Sequence, residues 1–121
     1  VAGLADGTLD AVASDHTPWT YEEKTLPFSQ APAGAVSLEL VLPLLWRHVE
    51  SGALGAVRAW QSLTTGPEGA IGCPPSGALV LFDPHAAWTV EAATLKSRSS
   101  ATAWLGKPMQ GKVLEVFPPQ P

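Results

Sequence analysis

The sequence predicts an α/β fold: a C-terminal fragment of a (β/α)8 TIM-type barrel, followed by part of a small β domain. Three observations carry that prediction. A nearly continuous apolar run, Leu9, Ala11, Val12 and Ala13, stops on Asp15 and His16 before Pro18 turns the chain. A short strand covered on both faces and ending in a carboxylate is how a (β/α) barrel projects a side chain from the C-terminal rim of its sheet. A strongly amphipathic helical pattern follows this run, and strand-like segments fill the last third. The chain has 121 residues, whereas a whole barrel needs about 250, so the barrel is present only in part. The expected domains are 1–72, the last strand and helices of the barrel; 73–117, strands of the small β domain; and 118–121, a Pro-rich tail.

Each element has its local reason. Residues 1–7 read as the last turn of a helix closing on Gly7. Residues 8–14 read as the strand. An Asp after a strand also serves to cap a turn, so Asp15 admits a structural as well as a catalytic reading. Residues 17–35 show no helical or alternating period and exceed the ~12–15 residues of ordinary loops. Pro18, Trp19, Tyr21, Pro27 and Phe28 within them predict a lid that packs down. Ser37 fits an N-cap. Leu38, Val41, Leu42, Leu45, Trp46 and Val49 follow at i, i+3, i+4, i+7, i+8 and i+11, one face of a helix closing near Gly52. Pro43 inside that pattern predicts a bend, or a helix that begins only a turn before it. A shorter helix is expected over 53–63, burying Leu54, Val57 and Trp60, and Pro67 can open another helical piece. Residues 78–82, 88–90 and 113–117 read as strands, the first ending at Asp83 and Pro84.

Composition excludes several classes. A formal charge of −4 with only seven Lys and Arg offers no clustered basic face for nucleic acid. The single Cys73 builds neither a disulfide framework nor a Cys-based zinc site, and is expected as a packed thiol. No apolar run reaches the ~18 residues of a membrane span, which makes a cytoplasmic protein the expectation. His16, His48 and His85 are scattered, so no metal is expected to be bound by these residues alone. The apolar run 8–14 is expected to seek the rest of its barrel or a second copy, so a homo-oligomer is expected.

The residues also carry a resemblance. Ser14, Asp15, His16, Thr17 and Pro18, then Glu23-Lys24, Pro27-Phe28, Ala33-Gly34, Leu38-Glu39 and Leu42-Pro43-Leu44 open the match. Leu63-Thr64-Thr65, Leu81-Phe82-Asp83-Pro84, Ser97-Arg98-Ser99 and Gly111-Lys112-Val113 continue it in order. Together they resemble the C-terminal third of a dihydroorotase, of the amidohydrolase superfamily. The resemblance implies a zinc-dependent barrel that interconverts N-carbamoyl-L-aspartate and L-dihydroorotate in pyrimidine biosynthesis. Asp15 matches the catalytic aspartate that touches the metal and shuttles the proton of the attacking water. Ala33 and Gly34 match the segment that contacts the substrate, and the other metal ligands are expected upstream of Val1.

The departures matter as much. Trp19 stands where the family has a histidine that helps hold the substrate carboxylate, and indole neither accepts a proton nor becomes cationic. Gly66 replaces a usual Asn, Leu40 a usual Thr, and Ala101 and Ala103 a usual Asn and Pro. Such changes resemble the non-catalytic dihydroorotase-like branch, which persists as a structural partner of aspartate carbamoyltransferase. Two readings therefore stand, a cyclic amidohydrolase and a non-catalytic assembly partner.

Overall fold

A computed structural model describes residues 1–119. The order of elements is α1 (Ala2–Ala5), α2 (Tyr21–Lys24), α3 (Val41–Glu50), α4 (Ala56–Leu63), α5 (Thr65–Ile71), β1 (Leu79–Thr89) and β2 (Pro108–Phe117), with β1 and β2 paired in a two-stranded sheet. The chain forms two compact units. One comprises Val1–Ala13, Leu42–Ala86 and residues 110–119, and the other Ser14–Val41 and Ala87–Met109. Gln120 and Pro121, half of the expected tail, lie outside the described residues.

The first unit is built around Leu4, Leu45, Leu54 and Ala59, with Val12, Val49 and Leu63 packed against them. α3 exists because Leu42 and Leu45 share a buried face, and because Pro43 falls in the first turn, where a missing N–H leaves no bond unmade. The helix accordingly starts at Val41, three residues later than the apolar spacing predicts. Ser37 is not its cap: the Ser37 hydroxyl donates to the Ser14 carbonyl at 2.6 Å. α4 starts at Ala56 behind Gly55 and buries Ala59 and Ser62, while Val57, expected in the core, is 72% exposed. α5 starts at Thr65, so Pro67 is its third residue and not its first. Trp46, Trp60 and Phe82 meet edge to face, with centroids 5.2 to 6.1 Å apart, the arrangement the ring quadrupoles favour.

Residues 8–14 do not form the expected strand. Leu9 N–H donates to Gly3 O at 2.7 Å and Val12 N–H to Ser62 O at 2.9 Å, yet no strand among the described residues lies alongside to complete a ladder, and a strand needs one. Arg58 organises this run. Its guanidinium donates to Leu4 O at 2.7 Å and Leu9 O at 2.6 Å, with Asp10 3.8 Å away. Gly66 touches the same run so closely that a Cβ there would collide with the Asp10 carbonyl oxygen. That contact gives a steric reason for glycine at 66.

The two strands expected at 78–82 and 88–90 are one, since Asp83 and Pro84 lie inside β1 and do not end it. β2 begins at Pro108, five residues before the expected start at 113. Gly111, at φ +87°, lets Phe82 approach to 2.7 Å from where a Cβ would stand. Cys73 is exposed and free, not a packed thiol.

Candidate functional site

The candidate site lies within the second unit and begins with a backbone exception. Asp15 has φ +46°, which makes it the non-glycine residue with positive φ among the described residues. That conformation is uncommon, with Asp and Asn the side chains most enriched in it. Both neighbours of Asp15 are anchored. The Ser14 carbonyl accepts from the Ser37 hydroxyl. His16 pairs with Ala35 in a parallel bridge, and its Nδ1 accepts from the N–H groups of Ser37 at 3.1 Å and Leu38 at 3.2 Å. Accepting at Nδ1 requires the neutral ring with hydrogen on Nε2, which leaves no lone pair for a metal. His16 thus acts as an anchor, and the Asp15 side chain is left exposed between two fixed points.

The bridge lays residues 15–17 beside residues 34–37, so the structure brings Asp15 together with the Ala33 and Gly34 segment. Thr17 N–H donates to Ala35 O at 3.0 Å. Gly34, at φ +114°, packs onto Thr17, where a Cβ would overlap Thr17 Oγ1 and stand 2.7 Å from Thr17 Cβ. Thr17 Oγ1 is itself buried without a hydrogen-bond partner. Trp19 joins the same group. Its indole Nε1–H donates to Ala33 O at 2.7 Å, and its carbonyl accepts from the Ser99 hydroxyl.

Residues 17–35 are less of a lid than the sequence predicts. Thr20 and Glu23 form a reciprocal capping box that opens α2. The backbone N–H and hydroxyl of Thr20 both donate to Glu23 and hold its carboxyl below its ordinary value of 4.5. Phe28 does not pack down: it is 99% exposed, and no described residue covers it.

Two further residues of the site carry no catalytic signature in sequence. Lys24 Nζ donates to Pro32 O at 2.9 Å and Gly34 O at 3.0 Å. Glu39 accepts from the N–H of Lys96 at 2.7 and 2.8 Å and of Ser97 at 2.8 Å. It thereby ties residues 96–97 to the segment that follows the site. A charged residue in a half-buried stretch was the available signal, but partners eight and fifty-seven residues away are not readable from spacing.

Among the described residues, no group of three or more His, Cys, Asp or Glu comes together in a way that could hold a metal ion. Asp15 fits a metal as a single oxygen donor, by its exposure and by the chemistry of a carboxylate.

No family model matches the chain. Among curated relatives, a probable dihydroorotase-like protein of Synechocystis sp. is 39% identical over 116 residues, spanning 94% of this chain and 26% of the relative. A dihydroorotase of Pelobacter propionicus is 38% identical over 123 residues, spanning 96% and 29%. The chain is homologous to dihydroorotases. It spans between a quarter and a third of the length of these relatives. Among solved structures, dihydropyrimidinase from Brevibacillus agri superposes with a TM-score of 0.86 at 24% identity, over 97% of this chain and 28% of that one. A D-hydantoinase from Thermus sp. gives 0.80 at 25% identity, over 95% and 28%. The fold of this dihydroorotase homologue is therefore that of the C-terminal 28% of an amidohydrolase barrel protein. No helix among its described residues is long and apolar enough to cross a membrane.

Proposed function

We propose that the protein carrying this chain is a metal-dependent cyclic amidohydrolase of pyrimidine biosynthesis, interconverting N-carbamoyl-L-aspartate and L-dihydroorotate, with Asp15 as its proton shuttle. The observation that carries this reading is the Asp15 backbone. A positive-φ carboxylate held between two hydrogen-bonded neighbours is a local strain of the kind that concentrates at active sites. Asp15 would contribute one oxygen to the metal, zinc by the family resemblance. A bound divalent ion supplies hydroxide near neutral pH.

The work of this chain's own residues is proton transfer and orientation. In the hydrolytic direction Asp15 takes a proton from the attacking water and returns it to the amide nitrogen as the C–N bond breaks. The net change is one water added across one amide. Ala33 and Gly34 orient the ring from the main chain. The remainder of the barrel supplies the other ligands, and a homo-oligomer would cover the apolar run 8–14.

The test is elemental zinc analysis of the full-length protein purified without chelator, together with turnover of L-dihydroorotate. One or two zinc per chain, with turnover lost in Asp15→Asn, supports the reading. Neither zinc nor turnover after incubation with excess metal refutes it. Trp19 favours a second reading, because its indole is spent on Ala33 O and offers the substrate no charge. On that reading the protein is a metal-free partner of aspartate carbamoyltransferase, and co-purification of the two without turnover is the outcome that identifies it.

A further inference from the structure

The chain carries eleven acidic and seven basic residues, yet a cavity of about 360 Å³ within the second unit is lined by two cations and no carboxylate. Lys24 on α2 and Arg98 are the cations, and Tyr21, Ser100, Thr102 and Leu105 stand in the same wall. The volume falls in the range of roughly 300–1,000 Å³ that small-molecule sites occupy. A wall so unlike the rest of the chain in charge calls for an anion.

The fold leaves several donors of this wall unused. The Arg98 guanidinium and the hydroxyls of Tyr21 and Ser100 make no hydrogen bond or ion pair among the described residues. Lys24 Nζ gives two of its three hydrogens to Pro32 O and Gly34 O, which fixes the ammonium and leaves the third hydrogen free to donate. Thr102 Oγ1 accepts from Trp104 N–H at 3.4 Å and keeps its own hydrogen. The stretch that carries Arg98 is anchored on both sides. Glu39 holds the N–H groups of Lys96 and Ser97, and the Ser99 hydroxyl donates to Trp19 O. A wall fixed in this way is ordered before a ligand arrives, which lowers the cost of binding.

We propose that this cavity binds the phosphate group of a small phosphate monoester, with the organic part of the ligand against Leu105. A phosphate monoester carries about −1.5 to −2 charge near pH 7 and three strong acceptor oxygens, a match for two cations and several separate donors. Arginine meets two of those oxygens with its planar fork, and lysine acts as a point charge. A carboxylate brings one charge and two oxygens, and would leave donors of the wall unmet. Leu105, 46% exposed, offers apolar surface to the rest of the molecule. Asp15, Ala33 and Gly34 do not line the cavity, so the proposal goes beyond both readings of the function and depends on neither.

The experiment is isothermal titration of phenyl phosphate, inorganic phosphate and benzoate into the full-length protein at about pH 7.5, where the phosphate monoester is a dianion. The melting temperature of every variant is recorded alongside. Phenyl phosphate should bind at least about tenfold more tightly than benzoate. Arg98→Met should weaken it about tenfold or more, and Tyr21→Phe about threefold. Arg47→Met, which removes the same charge from α3 in the first unit, should stay within about twofold of wild type. Inorganic phosphate binding more weakly than phenyl phosphate supports an organic ester as the occupant, and equal affinity of the two, lost alike in Arg98→Met, supports free phosphate. Phosphate affinity unchanged in Arg98→Met overturns the proposal, because the anion is then held elsewhere. Equal losses in Arg98→Met and Arg47→Met overturn it by reducing the effect to net charge. Benzoate binding as tightly as phenyl phosphate, or a full-length protein that binds neither phosphate at millimolar concentration, also overturns it.

Discussion

Replacing Gly34 with alanine probes the site through its tightest contact. Two penalties add. Gly34 sits at φ +114°, a region almost reserved for glycine, and forcing a side chain there costs about 1–3 kcal/mol. The new Cβ would also overlap Thr17 Oγ1 and stand 2.7 Å from Thr17 Cβ, and overpacking of that kind costs a further ~1–3 kcal/mol. Gly34→Ala should therefore destabilise the full-length protein by about 2–6 kcal/mol, read from denaturant midpoints, and weaken L-dihydroorotate binding. Thr17→Ala alone should stay within about 1 kcal/mol of wild type, because the hydroxyl it removes is buried without a partner. In the double variant the overlap is relieved and the torsional penalty remains, so about 1–3 kcal/mol of the loss should return. A Gly34→Ala protein within ~0.5 kcal/mol of wild type, or single effects that simply add, would refute the reasoning.

Other consequences follow from single contacts. Asp15→Asn should lower turnover about 10²–10⁴-fold while leaving the melting temperature unchanged, since Asn accepts positive φ as readily as Asp but cannot take the proton. Arg58→Met should cost about 2–4 kcal/mol in a denaturation curve, because it removes two donors from the Leu4 and Leu9 carbonyls. Asp10→Asn should cost less than about 1 kcal/mol, its side chain being 75% exposed at 3.8 Å from Arg58. Leu45→Ala should cost about 2–5 kcal/mol by opening a cavity among Leu4, Leu54 and Ala59. The Glu23 carboxyl is held below 4.5 by its hydrogen bonds to Thr20, so its contribution to α2 is complete above pH 4.5 and lost as the pH falls through the lowered value. Amide exchange over residues 21–24 should accelerate in that acidic window, and Glu23→Gln should abolish the acceleration.

Helix positions were legible wherever a period of 3.6 coincided with burial. Leu42 and Leu45 show this in α3. The start of that helix was misplaced because Leu38 extends the apolar spacing by one turn, although Ser37 is drawn off to the Ser14 carbonyl and the residues after it form a turn. Val57 fits the same period in α4 yet lies exposed, because periodicity names a face without naming what covers it. Thr20 and Glu23 were legible in principle as a capping box, and were masked by the prolines and aromatics around them. Asp83 and Pro84 look like a strand terminator, but β1 runs through them.

What the sequence determined by itself is local or additive: helical faces, the halt of the apolar run at Asp15, the exclusion of a Cys-based metal site, and the family likeness carried by short motifs in order. What only the tertiary structure decided is which groups meet across long stretches of chain. Trp19 looked like a lost contact, and the fold turned it into a donor to Ala33 O. Lys24, in the sequence only part of a family motif, clamps Pro32 and Gly34 by their carbonyls. Hydrogen-bond partners are settled by which loops the fold brings within about 3 Å, and neither residue type nor spacing along the chain encodes that distance.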